Sequence, residues 1–237
     1  QFPTKRLTIN LAPADLPKDG SRLDLPIALG ILIASGQLPE QAAENLEFIG
    51  ELALDGQLRP VTGTLSIAIA CQAAGHQLVL PEPNAQEAAQ LPDFQVFAAS
   101  HLKQVCEHLA QAAPLQPFAA SSETRLERYA FDLADVKGQL RPRRALEIAA
   151  AGGHSLLFKG PPGTGKTLLA SRLASILPPL NMQENLEVAS IYSIANANHP
   201  FGQRPFRAPH HTASAIALVG GGSHPKPGEI TLAHLGV

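Results

Sequence analysis

Residues 160–167 read Gly-Pro-Pro-Gly-Thr-Gly-Lys-Thr, and they constrain this chain more than any other stretch. The spacing of Gly160, Gly165, Lys166 and Thr167 is that of a phosphate-binding loop. Gly160, Gly163 and Gly165 let the backbone turn tightly and bring its N–H groups against phosphate oxygens. Pro161, Pro162 and Thr164 fill the span between them, and Leu168 follows at its exit. Lys166 brings a positive charge to terminal phosphates, and the Thr167 hydroxyl suits a Mg²⁺ ligand. Such a loop joins a strand to a helix. The apolar run 154–159 predicts the strand, and Leu168–Leu177, stopped by Pro178 and Pro179, predicts the helix. The helix would add its positive end to the same anion. ATP with Mg²⁺ is the expected ligand, with Lys166 and Thr167 in the catalytic roles.

The remaining sequence predicts an α/β or α+β chain. Helices are expected over Leu25–Ser35, Leu65–Ala74, His101–Ala112 and Arg141–Ala151, with Gly36, Gly75 and Gly152-Gly153 as stops. Strands are expected over Arg6–Leu11, Gln77–Leu80 and Gln95–Ala98. Phe48–Leu54 and Gln57–Val61 should form a hairpin about Asp55-Gly56. Residues 113–124, rich in Pro, Ala and Ser, predict a linker and divide the chain into 1–118 and 119–237. Residues 1–118 carry six Lys/Arg against twelve Asp/Glu, and residues 119–237 carry twelve against eight. A basic half holding the phosphate loop suits polyanions, a nucleotide or DNA.

No run of 18 apolar residues predicts a membrane span. No signal segment is apparent, and two distant cysteines, Cys71 and Cys106, fit free thiols in a cytoplasmic protein. The chain opens at Gln1, and Met182 is its one methionine, so it is expected to be a piece of a longer protein.

The second half resembles the magnesium-chelatase-like AAA+ ATPase family, most closely its competence-protein branch. The residues that carry the likeness are Asp135-Val136-Lys137-Gly138-Gln139, the phosphate loop, and Gln203–Ser214 running into Leu218–Gly222 and Pro225–His234. The resemblance implies a partial AAA+ module, a parallel sheet with flanking helices, in which Val136 joins residues 160–168 around ATP. It further implies a hexameric ring that hydrolyses ATP and drives branch migration of DNA in natural transformation. It places an insertion facing the ring's pore at 220–229, and the Walker B acids and arginine finger beyond Val237. Leu235 departs from the Asn usual in the family. His210-His211 lacks the spacing of a metal site. Arg204 and Arg207 could reach a neighbour's nucleotide or DNA phosphates, or be plainly solvated or salt-bridged.

The first half resembles the Lon proteolytic domain over Pro17–Asp24 and Gly50–Val61. The nucleophilic serine of that family falls at Arg22 and its lysine near Leu65. Residues 56–102 hold no lysine, so Ser21 lacks the base that Ser–Lys chemistry requires. A structural or nucleic-acid-facing role is expected of this half. Two other functions compete with the DNA motor: a chelatase-type subunit remodelling a protein complex, and a module that binds ATP without turnover.

Overall fold

The structure, a computed structural model, describes residues 3, 6–11, 20–119, 129, 131–222 and 225–237. Residues 17–19 of the Lon-like segment and 120–124 of the expected linker lie outside the described residues. The chain folds as two units, 1–122 and 123–237.

The first unit is built on a parallel three-stranded sheet. Helix α1 (Asp24–Ala34) precedes strand β1 (Leu46–Phe48), the short pair β2 (Glu51–Leu52) and β3 (Leu58–Arg59), and helix α2 (Thr64–Ala74). Strand β4 (Gln77–Pro81), helix α3 (Glu82–Ala88), strand β5 (Val96–Ala99) and helix α4 (Leu102–Leu109) complete it. The sheet order is β1-β4-β5, with Leu46 opposite Gln77 and Leu78 opposite Val96. Parallel neighbours need crossovers, which α2 and α3 provide. Central β4 is covered on both faces, so Leu78, Val79 and Leu80 are all 0 % exposed. That explains its uninterrupted apolar run. Leu25 and Leu29 of α1 pack with Val79, Phe97 and Val105 in the same core.

Capping sets the helix ends. Gly75 takes a left-handed conformation after α2, and the His76 N–H closes the motif on the Cys71 carbonyl at 2.9 Å. His101 caps α4 by accepting from the Lys103 N–H at 3.0 Å. The predicted strand Phe48–Leu54 is divided at Ile49-Gly50. Gly50 exchanges backbone bonds with Arg22 and Leu25, which takes it out of any ladder. β1 therefore joins the parallel sheet, while β2 turns back on β3 about Asp55-Gly56. The segment 6–11, predicted as a strand, is not assigned to a strand.

In the second unit come helices α5 (Leu140–Gly152), α6 (Lys166–Ala170), α7 (Leu173–Ile176) and α8 (Met182–Ala195). Helix α9 (Ala215–Val219), the two-residue strands β6 (Gly220–Gly221) and β7 (Lys226–Pro227), and helix α10 (Glu229–Leu232) follow. The chain is thus α/β with a parallel sheet flanked by helices, but that sheet lies in the first unit. Residues 154–159 form no strand among the described residues, and Leu157 is 90 % exposed. The apolar run was sufficient for a strand, but a ladder needs a neighbouring strand to bond to.

The predicted helix 168–177 is also divided. Ser171 Oγ and Arg172 Nη1 both donate to the Leu168 carbonyl, at 3.0 and 3.2 Å. The Arg172 N–H bonds to the Leu169 carbonyl instead, and α6 ends two residues before α7 begins. Two small cores result. Leu133, Val136, Leu146 and Leu169 form one, and Leu180, Val188 and Tyr192 form the other. Helix α8 was not predicted, although Asn181 and Glu184 form its capping box with bonds of 2.9 and 2.8 Å.

Candidate nucleotide-binding loop

The loop Gly160–Thr167 follows the segment 154–159 and enters α6 through two left-handed glycines, Gly163 and Gly165, each at φ +80°. An L side chain at either position would be strained. Gly160, Pro161, Pro162, Gly163, Thr164 and Thr167 are exposed to solvent, and Leu168 is 43 % exposed. Thr164 Oγ1 donates to the Pro161 carbonyl at 2.9 Å, closing the turn from within. Lys166 Nζ donates to the carbonyls of Gly160 at 2.9 Å and Pro161 at 2.7 Å. Its ammonium therefore lies in the curl of the loop, held by neutral acceptors that an anionic phosphate would outcompete.

Behind the loop, Leu169 on α6 packs with Leu133, Val136 and Leu146, so one face of the motif is anchored in a core. Val136 is only 3 % exposed. Its side chain belongs to that core, directly behind the loop. A different residue of that segment, Gln139, reaches the loop: its Nε2 donates to the Thr164 carbonyl at 3.2 Å. The stretch Lys137–Arg144 that begins α5 also carries Arg141 and Arg143, all without an acidic side chain in the first turn. Arg144 alone among these cations pairs within α5, with Glu147 at 2.8 Å.

The two arginines downstream are spent internally. Arg207 makes a forked ion pair with Glu229 at 2.6 and 2.7 Å. Arg204 donates to the carbonyls of Pro178 at 2.6 Å and Leu235 at 2.7 Å. Tyr192 donates to the Leu232 carbonyl at 2.9 Å, and burial raises the pKa of its hydroxyl. His199 stacks on Tyr192 with ring centroids 4.4 Å apart, and burial lowers its pKa. His210 bonds to Thr212 through Nδ1 at 2.7 Å and tilts against His211. Among the described residues no group of three metal-ligating side chains occurs.

The expected insertion 220–229 contains the β6–β7 hairpin, followed by α10. Leu235 sits at φ +55°, a left-handed position that Asn tolerates better than Leu. Its side chain packs against the Leu180–Tyr192 core, which offsets that strain.

In the first unit, the described residues at the positions expected for a Ser–Lys pair do not form one. Ser21 Oγ donates to the Glu51 carboxylate, and Leu65 is 0 % exposed inside α2. Arg59 reaches the same Glu51 at 3.5 Å. No helix of the described residues is long and apolar enough to cross a membrane.

Residues 132–237 match the family described as magnesium chelatase, subunit ChlI, and residues 1–84 match subunit ChlI of Mg-chelatase. Over its whole length the chain is 50 % identical to protein YifB of Salmonella typhimurium and 49 % identical to competence protein ComM of Haemophilus influenzae. It is 48 % identical to YifB of Escherichia coli. The chain spans about half the length of these relatives, 47–48 % of each. With the phosphate loop intact and likeness to the same proteins running through both units, the chain belongs to the magnesium-chelatase-like AAA+ family, in the group of ComM and YifB.

Proposed function

We propose that this chain is the nucleotide-binding part of an ATP-driven AAA+ motor that remodels DNA. The observation that carries the reading is the phosphate loop, with Lys166 held by the carbonyls of Gly160 and Pro161 at its centre. Gly160–Lys166 would hold the phosphates of ATP, and Thr167 would ligate Mg²⁺. When bound, the metal supplies charge neutralisation at the terminal phosphates and a template for in-line attack. The side chains present fit that group: exposed donors, left-handed glycines and an ammonium in the curl.

DNA as partner is supported by the basic balance of residues 119–237 and by the name of the ComM relative, a competence protein. Assembly into a hexameric ring belongs to the same reading. The first unit is read as a Lon-protease-like fold without proteolytic chemistry, because Ser21 faces Glu51 and no lysine stands at Leu65. Domains bounded near residue 118 follow from that reading.

Turnover is expected of the full-length protein, and this chain by itself should bind nucleotide with little or no hydrolysis, so the test is ATP hydrolysis by the full-length protein with and without DNA at low salt. The reading expects hydrolysis that DNA stimulates, loss of both in Lys166→Ala, and steep weakening of the stimulation with salt. Hydrolysis that ignores DNA at every salt concentration would remove DNA from the reading. Hydrolysis that survives Lys166→Ala would remove the loop.

A further inference from the structure

Gln139 stands at the start of α5 with φ 51° and ψ 48°, a left-handed residue that is not glycine. Gly138 before it is also left-handed, at φ +67°. A side chain at such a position is strained, and strain of this kind persists where the surrounding structure enforces it. The conformation has a consequence 25 residues away. It carries the Gln139 amide across to the phosphate loop, where Nε2 donates to the Thr164 carbonyl at 3.2 Å. The same nitrogen closes over Gly165, where a Cβ would lie 3.0 Å from it. Gly165 thus needs to be glycine for two reasons, its φ of +80° and the amide above it.

A peptide unit whose carbonyl is tied down has its N–H directed the opposite way. Thr164 C=O and the Gly165 N–H share one such unit. Holding the carbonyl toward Gln139 turns the Gly165 N–H to the other side of the loop. We propose that Gln139 is a positioning residue for nucleotide phosphate: its amide fixes the Thr164–Gly165 peptide so that the loop's N–H groups stand ready for the anion. The inference rests on the nucleotide-binding reading above and goes beyond it by naming a residue outside the loop that sets the loop's affinity.

Three variants separate this role from a merely structural one. Gln139→Gly and Gln139→Asn both relieve the left-handed backbone, but the first has no amide and the second falls one methylene short. Gln139→Glu keeps the length and cannot donate when ionised. A purely conformational role predicts that Gly and Asn match or improve on Gln in every respect. The positioning role predicts an unchanged or higher unfolding temperature for Gly and Asn. All three should nonetheless bind MgATP about three- to tenfold more weakly, the worth of one hydrogen bond. It also predicts faster hydrogen exchange at residues 163–166 in the nucleotide-free protein. If the parent protein binds MgATP, Lys166→Ala weakens binding about tenfold or more and the three variants stay within twofold of the parent, this inference alone falls. If the parent binds no MgATP, the nucleotide reading falls with it.

Discussion

Removing Arg207 should loosen the second unit by a defined amount. Its guanidinium makes two hydrogen bonds to Glu229, at 2.6 and 2.7 Å, tying the segment after Pro205 to α10. The pair is neither surface nor core: its side chains are 33 % and 25 % exposed. Fully exposed pairs contribute about 0–1 kcal/mol, and breaking a fully buried pair costs about 3–5 kcal/mol. At this exposure the orphaned Glu229 carboxylate can take on water, so the coupling between the two residues should be about 1–2 kcal/mol. For a unit of this size that is a fall of roughly 4–8 °C in unfolding midpoint.

The chain has no tryptophan, and its two tyrosines, Tyr129 and Tyr192, both lie in the second unit. Tyrosine fluorescence therefore follows that unit alone. Arg207→Ala, Glu229→Ala and the double variant complete a cycle that isolates the pair. Acid provides the independent check. The Arg207 hydrogen bonds, opposed by burial, hold the Glu229 carboxyl below its ordinary value of 4.5. A lowered carboxylate pKa contributes stability that is complete above the ordinary value and is lost as pH falls through the folded one. The parent should therefore lose more stability below about pH 4.5 than Glu229→Gln does. A coupling near zero, or equal acid sensitivity in the two proteins, would refute the internal role given to Arg207.

Two further outcomes follow from close contacts and burial. A Cβ at Gly228 would lie 2.3 Å from the Gly220 nitrogen and 2.5 Å from the Leu218 carbonyl, so Gly228→Ala should destabilise the second unit by about 1–3 kcal/mol in the same fluorescence assay. The Cys71 thiol is pushed up to about 11, first by burial and then by the Glu47 charge, so it should resist thiol reagents at pH 8 until the protein is unfolded in urea.

The readable parts of the sequence were those fixed by local chemistry. Gly75 stops a helix because only a left-handed residue completes the cap, and Asp55-Gly56 turns a hairpin for similar reasons. Within the phosphate loop the glycine spacing dictated the backbone directly. The strand before that loop was less legible, because an extended apolar run becomes a strand only when another strand pairs with it. Phe48–Leu54 read as one strand, but Gly50 bonds to Arg22 and Leu25, a tertiary contact with no local signal. Arg204 and Arg207 left two roles open until their acceptors were visible: charge alone does not say where a guanidinium points. Val136 packs in the core behind the loop, a placement that its apolar side chain signals but that only the folded unit locates. The Asn181–Glu184 box is a local start signal for α8, set close behind two prolines that stop a helix.

The central claim is that Gly160–Thr167 binds nucleotide phosphate through Lys166. Calorimetric titration with MgATP tests it most directly. Two charge-assisted bonds to carbonyls would be exchanged for stronger ones to phosphate, and losing the ammonium should remove about 1.5–3 kcal/mol of binding. The account predicts saturable binding by the parent protein, and binding about ten- to 150-fold weaker in Lys166→Ala with the fold intact. Equal MgATP affinity in the two proteins, or no binding by the parent, would contradict it.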